Sequence, residues 1–100
     1  MNYILDDDGN PVPCSDLLTW AKWFEDDPAR MVAKTKVGDQ EVSTVFLGLD
    51  HGWGTTHLPV LWETLVFPEC EECERYTSRA DALAGHTRHV ATLLAKDPTP

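Results

Sequence analysis

The sequence predicts an α+β fold: an antiparallel β-meander of three to four strands packed against two helices, in the order β-α-β-β-β-α. Three observations predict it. Apolar residues recur at helical spacing in 15–26 and again in 78–96. From 31 to 67 the period is two, with β-branched and aromatic runs. Gly, Pro, Asn and Asp punctuate the boundaries between these stretches. The pattern fits one domain over 1–96, with Asp97-Pro98-Thr99-Pro100 as a frayed tail.

Each element has a local cause. Tyr3-Ile4-Leu5 reads as a short strand, and Asp8-Gly9-Asn10-Pro11 as a turn, since Gly and Asn tolerate positive φ and Pro fixes its own. Ser15 is the expected N-cap of the first helix, with Asp16 favourable in the first turn. Leu17, Trp20, Ala21 and Phe24 then fall at i, i+3, i+4 and i+7, the stripe of an amphipathic helix. Asp26-Asp27-Pro28 ends it, because the residue before Pro avoids the helical region.

Met31, Ala33, Thr35 and Val37 alternate with Val32, Lys34 and Lys36, and Val37-Gly38-Asp39-Gln40 reads as a hairpin turn. Residues 42–49 form the next expected strand, 51–59 a loop around Trp53, and 60–67 a third long strand stopped by Pro68. Residues 69–74 read as an acidic connector. Ser78 with Asp81 makes a capping box in its Asp form and starts the second helix. Ala80, Leu83, Ala84, Thr87, Ala91 and Leu94 line one side of it, and Lys96 suits the C-terminal end of the dipole.

The two long strands look apolar on both faces. In 42–49, Val42 and Phe46 oppose Val45, Leu47 and Leu49; in 60–67, Val60, Trp62 and Val66 oppose Leu61, Leu65 and Phe67. A one-sided antiparallel sheet should alternate with polar residues. Two short helices cover one face of three or four strands. The second face is therefore left for a second copy or a partner, unless the 51–59 loop and the N-terminal arm fold over it.

Composition narrows the function. The net charge is −9, from 17 acidic residues against 8 Lys and Arg, which argues against direct nucleic-acid binding and favours basic partners. Acidic runs stand at 6–8, 25–27 and 69–74. Gathered on one face they would mimic a nucleic acid; scattered, they are solvated charge. No apolar run approaches the ~18 residues of a membrane span. Asp6, Asp7 and Asp8 interrupt the first apolar stretch, unlike a signal peptide. Cys14, Cys70 and Cys73 are odd in number, which suits a reducing cytoplasm better than a disulfide framework.

Two sets of residues stand out as sites. Cys70 and Cys73, with His86 and His89 after a further twelve residues, have spacing close to a two-Cys two-His zinc site. The stretch 70–89 resembles such a finger, with Leu83 three before His86. Only two residues separate the His pair, Tyr76 comes one position early for the core aromatic, and the surrounding Glu residues oppose thiolate formation. The alternative is two free thiols and two His on a helix flank, with no cofactor. The second set is a partner-binding group of Trp53, flanked by Gly52 and Gly54, with His51, Trp62 and Glu63 beside it. The alternative is a Trp53 folded back onto the sheet. Asp50, His51 and Glu63 could be drawn as an acid–base cluster, but no nucleophile or phosphate loop accompanies them, so no catalytic residue is assigned and an enzyme is not expected.

The layout of Ser43-Thr44-Val45-Phe46-Leu47-Gly48-Leu49-Asp50-His51, Leu61-Trp62-Glu63-Thr64-Leu65-Val66-Phe67, Glu74-Arg75-Tyr76-Thr77-Ser78 and Ala84-Gly85-His86 resembles a family of small proteins encoded mainly by bacteriophages and prophages. The opening Tyr3-Ile4-Leu5-Asp6 and Gly9-Asn10-Pro11-Val12-Pro13-Cys14 fits as well, and Thr55-Thr56-His57-Leu58 departs from a more Gly/Pro-rich stretch. The resemblance implies a phage setting in a host bacterial cytoplasm and carries no assigned activity or site. The expectation is a non-enzymatic accessory protein that binds a host or phage protein, with a homodimer, a zinc-stabilised domain and a minor virion component as alternatives.

Overall fold

A computed structural model describes residues 2–50, 58–68 and 74–96. The α+β class holds, with two strands beyond the sequence expectation. Strands β1 (Tyr3–Leu5) and β2 (Pro11–Pro13) form a small antiparallel hairpin, Tyr3 opposite Pro13 and Leu5 opposite Pro11. Its turn is held by Asp6, whose Oδ1 accepts the amides of Asp8 and Asn10 at 2.9 Å each, and by Gly9 at φ +83°. Helix α1 (Leu17–Asp26) follows, then a single 3-10 turn Pro28–Arg30.

Strands β3 (Met31–Val37), β4 (Gln40–Phe46), β5 (Trp62–Phe67) and β6 (Glu74–Tyr76) make one antiparallel sheet in sequence order. Helix α2 (Arg79–Lys96) lies across it and touches all four strands. The register aligns Ala33, Thr44, Thr64 and Glu74 in one row, and Phe46, Trp62 and Tyr76 in another. These rows face α2. The core holds Leu5, Phe46, Leu61, Trp62, Tyr76 and Ala82.

The N-cap of α1 is Asp16 and not Ser15. Its carboxylate accepts the Leu18 amide at 3.1 Å and the Thr19 hydroxyl at 2.8 Å, and those bonds hold its pKa below the ordinary carboxylate value. The buried stripe also differs from expectation. Trp20, Trp23 and Phe24 are half-buried, whereas Leu17 is 63% and Leu18 82% exposed. The aromatic rings bury more area than a Leu, so the helix rolls toward them.

Three contacts fix α1 to the end of the sheet. The Trp20 indole N–H is shared between the carbonyls of Tyr3 and Gly48, both at 3.1 Å. Trp23 meets Phe46 edge-on. Phe24 stacks on Trp20 and carries the Arg30 guanidinium 3.6 Å above its ring, while Arg30 Nη1 donates to the Phe24 carbonyl. Gly48, at φ +76°, permits this approach, since a Cβ there would lie 2.9 Å from Phe24 Cδ2.

Gly48 also corrects the two-faced reading of the central strands. β4 ends at Phe46, so Leu47 and Leu49 lie beyond the regular pleat. Leu61 precedes β5 and turns into the core, where it is fully buried. Among the described strand residues, the face away from α2 therefore keeps four apolar ones: Met31, Val45, Leu65 and Phe67.

Candidate functional site

The two faces of the sheet differ in chemistry. Under α2 runs a buried polar network. His86 is buried with both ring nitrogens engaged: Nε2 lies 2.8 Å from Thr35 Oγ1, and Nδ1 lies 2.8 Å from Thr44 Oγ1. Thr44 Oγ1 is 2.6 Å from Thr64 Oγ1, which is 3.0 Å from Tyr76 Oη. Tyr76 Oη is in turn 3.1 Å from Glu74 Oε1. The same carboxylate oxygen meets His89 Nε2 at 3.1 Å and the Arg88 guanidinium.

Proton counting gives this chain a direction. Tyr76 has one hydroxyl proton for two neighbours, and an ionised carboxylate only accepts. The Tyr76 O–H therefore donates to Glu74, and Thr64 donates to Tyr76. Thr44 must then donate to Thr64, and His86 Nδ1–H to Thr44. Neutral His86 is thus the Nδ1–H tautomer, with Nε2 accepting from Thr35.

The electrostatics agree. Burial alone would push the Glu74 carboxyl up, but the bonds from Tyr76, His89 and Arg88 and the charge of Arg88 outweigh it, and its pKa is lowered. Burial is the largest influence on His86 and lowers its pKa, with the charge of His89 adding to the effect. Burial also raises the Tyr76 hydroxyl, with the Glu74 carboxylate acting in the same sense. The network orders protons and locks α2 onto the sheet.

Gly85 makes this packing possible. A Cβ at that position would sit 2.1 Å from Tyr76 Oη and 2.5 Å from its ring. Helix and tyrosine meet only because the side chain is a hydrogen.

The other face is mixed and open. Met31 is 46% and Phe67 44% exposed, with Val45 and Leu65 half-buried between them. The Ser43 hydroxyl points at the Met31 sulfur across 3.8 Å. Charged pairs rim the patch: Lys34 with Glu41 at 3.6 Å, and Arg75 with Glu63 at 2.7 Å.

The residues singled out from the sequence separate accordingly. Trp62 is 1% exposed and packs on Phe46, so it is a core residue and not a surface anchor. The pleat places it on the α2 side, opposite Glu63. Glu63 does lie on the open face, as the partner of Arg75. His51, Trp53, Cys70 and Cys73 lie outside the described residues. His86 and His89 both turn toward the sheet, His86 onto Thr35 and Thr44 and His89 onto the Glu74 carboxylate. For His86 to serve in the four-residue zinc set it would release one of its 2.8 Å threonine contacts, and the two thiols of that set are among the residues not described. Among the described residues no group of three or more His, Cys, Asp or Glu is placed to hold a metal. No described helix is long and apolar enough to cross a membrane.

Sequence reasoning missed Thr35, Thr44, Thr64, Glu74 and Gly85. One signal was available: a Gly next to a His in the interior of a helix, where Gly is otherwise unfavourable. Comparison with protein-family models, with curated proteins and with solved structures returns no match.

Proposed function

We propose that this chain is a non-enzymatic protein-binding module, an accessory protein of the phage kind, that docks a host or phage protein on the open face of its sheet. Interference with a host process such as defence is the purpose such a module serves in a bacterial cytoplasm. One observation carries the reading: Met31 and Phe67 stand 46% and 44% exposed on the face that α2 leaves bare, with Val45 and Leu65 beside them. Apolar side chains grouped within a polar rim are the anatomy of a docking patch. The resemblance to phage-encoded proteins supports the setting, and the proton-ordered network under α2 supports a rigid platform over a reactive centre.

The test is site-directed crosslinking. A photoreactive side chain at position 67 should give a discrete adduct in infected or lysogenic cells, and one at the more exposed position 94, on α2, should not. Adducts at twice the mass of the chain would identify a homodimer. Adducts found in purified particles would identify a virion component. Equal, diffuse labelling from both positions would remove the open face as the docking surface.

A further inference from the structure

The surface beside the open face has a second feature that the docking patch does not use. A trough of about 520 Å³ lies against the outer side of α1, its described walls formed by Thr19, Lys22, Trp23, Asp26, Asp27 and Pro28. These positions follow from helical spacing: 19, 22, 23 and 26 share one side of α1, and 27–28 is the turn that ends it. Its apolar wall is the half-buried Trp23, held edge-on by Phe46. A smaller hollow of about 220 Å³ shares Asp27 and Pro28 with the trough and runs on to Met31 and Val45. The two hollows join α1 to the open face.

We propose that this trough takes a cationic side chain, Arg or Lys, from a basic segment of the protein docked on the open face. The proposal rests on the docking reading above and names the chemistry of its partner. The charge balance points this way. Two carboxylates, Asp26 and Asp27, face one ammonium, Lys22, and no ion pair among the described residues neutralises either acid. Asp27 spends Oδ1 on the Ala29 amide at 2.8 Å, as cap of the 3-10 turn, and keeps its second oxygen. An indole wall beside carboxylates is the arrangement that holds a guanidinium, by its quadrupole and by charge-assisted hydrogen bonds. Arg30 already sits on Phe24 in the same way a few residues along. The occupant is not a second copy, because each chain carries a net charge of −9 and would bring like charge to an acidic trough.

The experiment is a titration of the isotopically labelled full chain, followed by NMR. The probe is a capped hexapeptide of alternating Arg and Leu, with the Glu-for-Arg peptide as control. Saturable shifts of the Trp23 indole N–H and the Thr19 amide are expected with the Arg peptide alone. Asp26→Asn together with Asp27→Asn should weaken binding by about fivefold or more, and Lys22→Gln should strengthen it. Asn retains the capping oxygen at position 27, so the variant keeps its fold. Equal shifts at Asp6, Asp7 and Asp8, or no effect of either substitution, would overturn the proposal. The Leu65 and Phe67 amides report the open face separately. Shifts there with a silent Trp23 reject the trough and leave the docking patch. Shifts at Trp23 alone support the trough and reject the patch.

Discussion

Replacing Gly85 with Ala should destabilise this protein, although the same change stabilises an ordinary helix. Two effects oppose each other. Ala is favoured over Gly in a helix interior by about 0.8–1.0 kcal/mol. Against that, the new Cβ would lie 2.1 Å from Tyr76 Oη and 2.5 Å from Cε1 and Cζ, where ordinary contact starts at 3.4 Å. Relief requires a shift of over an ångström in the ring or in α2. Overpacking of a buried site costs about 1–3 kcal/mol. Tyr76 is also tied by its hydroxyl to Thr64 and Glu74, and each bond strained or lost costs about 0.5–1.5 kcal/mol more. The clash wins, and a net loss of about 1–4 kcal/mol is expected after the helical gain is subtracted. For a domain of this size that is a fall in Tm of about 5 °C at the least. Thermal and urea unfolding followed by circular dichroism measure it. A peptide of residues 79–96 is the control: there Gly85→Ala should raise helicity, since no tyrosine is present. A whole protein that is as stable with Ala as with Gly would mean that α2 does not press on Tyr76, and the network geometry would fall with it.

Three further outcomes follow from the same network. Thr44→Val keeps the shape but leaves the His86 Nδ1–H without its acceptor and Thr64 without its donor, so a loss of about 1–3 kcal/mol is expected in urea unfolding. Adding Thr64→Val to it should cost less than the sum of the single changes, because both residues belong to one hydrogen-bond chain. Stability should fall with acid in two windows. The folded pKa of His86 is below its ordinary 6.5, so the unfolded chain binds that proton more readily; the contribution is complete above 6.5 and is lost as pH falls below it. Glu74 is lowered from 4.5, so its contribution stands above 4.5 and disappears as pH falls through its lower folded value. Urea midpoints across pH should show the first window flattened in His86→Gln and the second in Glu74→Gln. Zinc added to the chain should leave the ring resonances of His86 unmoved if its two threonine bonds persist; zinc-dependent shifts of those resonances would support the metal reading instead.

The readable parts of this fold are those set by residues close in sequence. The 3.6 period of Trp20 and Phe24, the stop at Asp27-Pro28 and the Gly38-Asp39 hairpin all follow from local chemistry. The roll of α1 was not readable, since which apolar residues face inward depends on Phe46 and Gly48, far along the chain. β6 escaped for a related reason. Glu74–Tyr76 is three residues long and acquires its strand character only by pairing with β5. The network was hidden most deeply. Thr is an ordinary strand residue, and nothing in sequence joins Thr35, Thr44 and Thr64 until the register sets Thr44 opposite Thr64 and α2 lowers His86 onto them. Without that register, spacing was the one property of the His pair at i, i+3 on view, and the threonine partners of His86 were not.

The placement of polarity across the sheet bears on the proposed docking role. The sheet places Thr44 and Thr64 under its helix, where His86 of α2 meets Thr44, and leaves Met31 and Phe67 facing out. For stability alone the reverse would serve better, as buried polar groups gain little net and leave a heavy penalty if one partner is lost. What the buried set supplies is uniqueness. Sliding α2 by one turn would move His86 away from two threonines and Gly85 away from Tyr76 together, so a single helix position satisfies both. The sheet behind it is then held in one shape, and the apolar residues on the far side keep fixed spacing. A docking platform needs that rigidity, because pre-organised contacts lose less freedom on association. The His86 ring, with both nitrogens spent on internal hydroxyls, is one of the ties that would supply such rigidity.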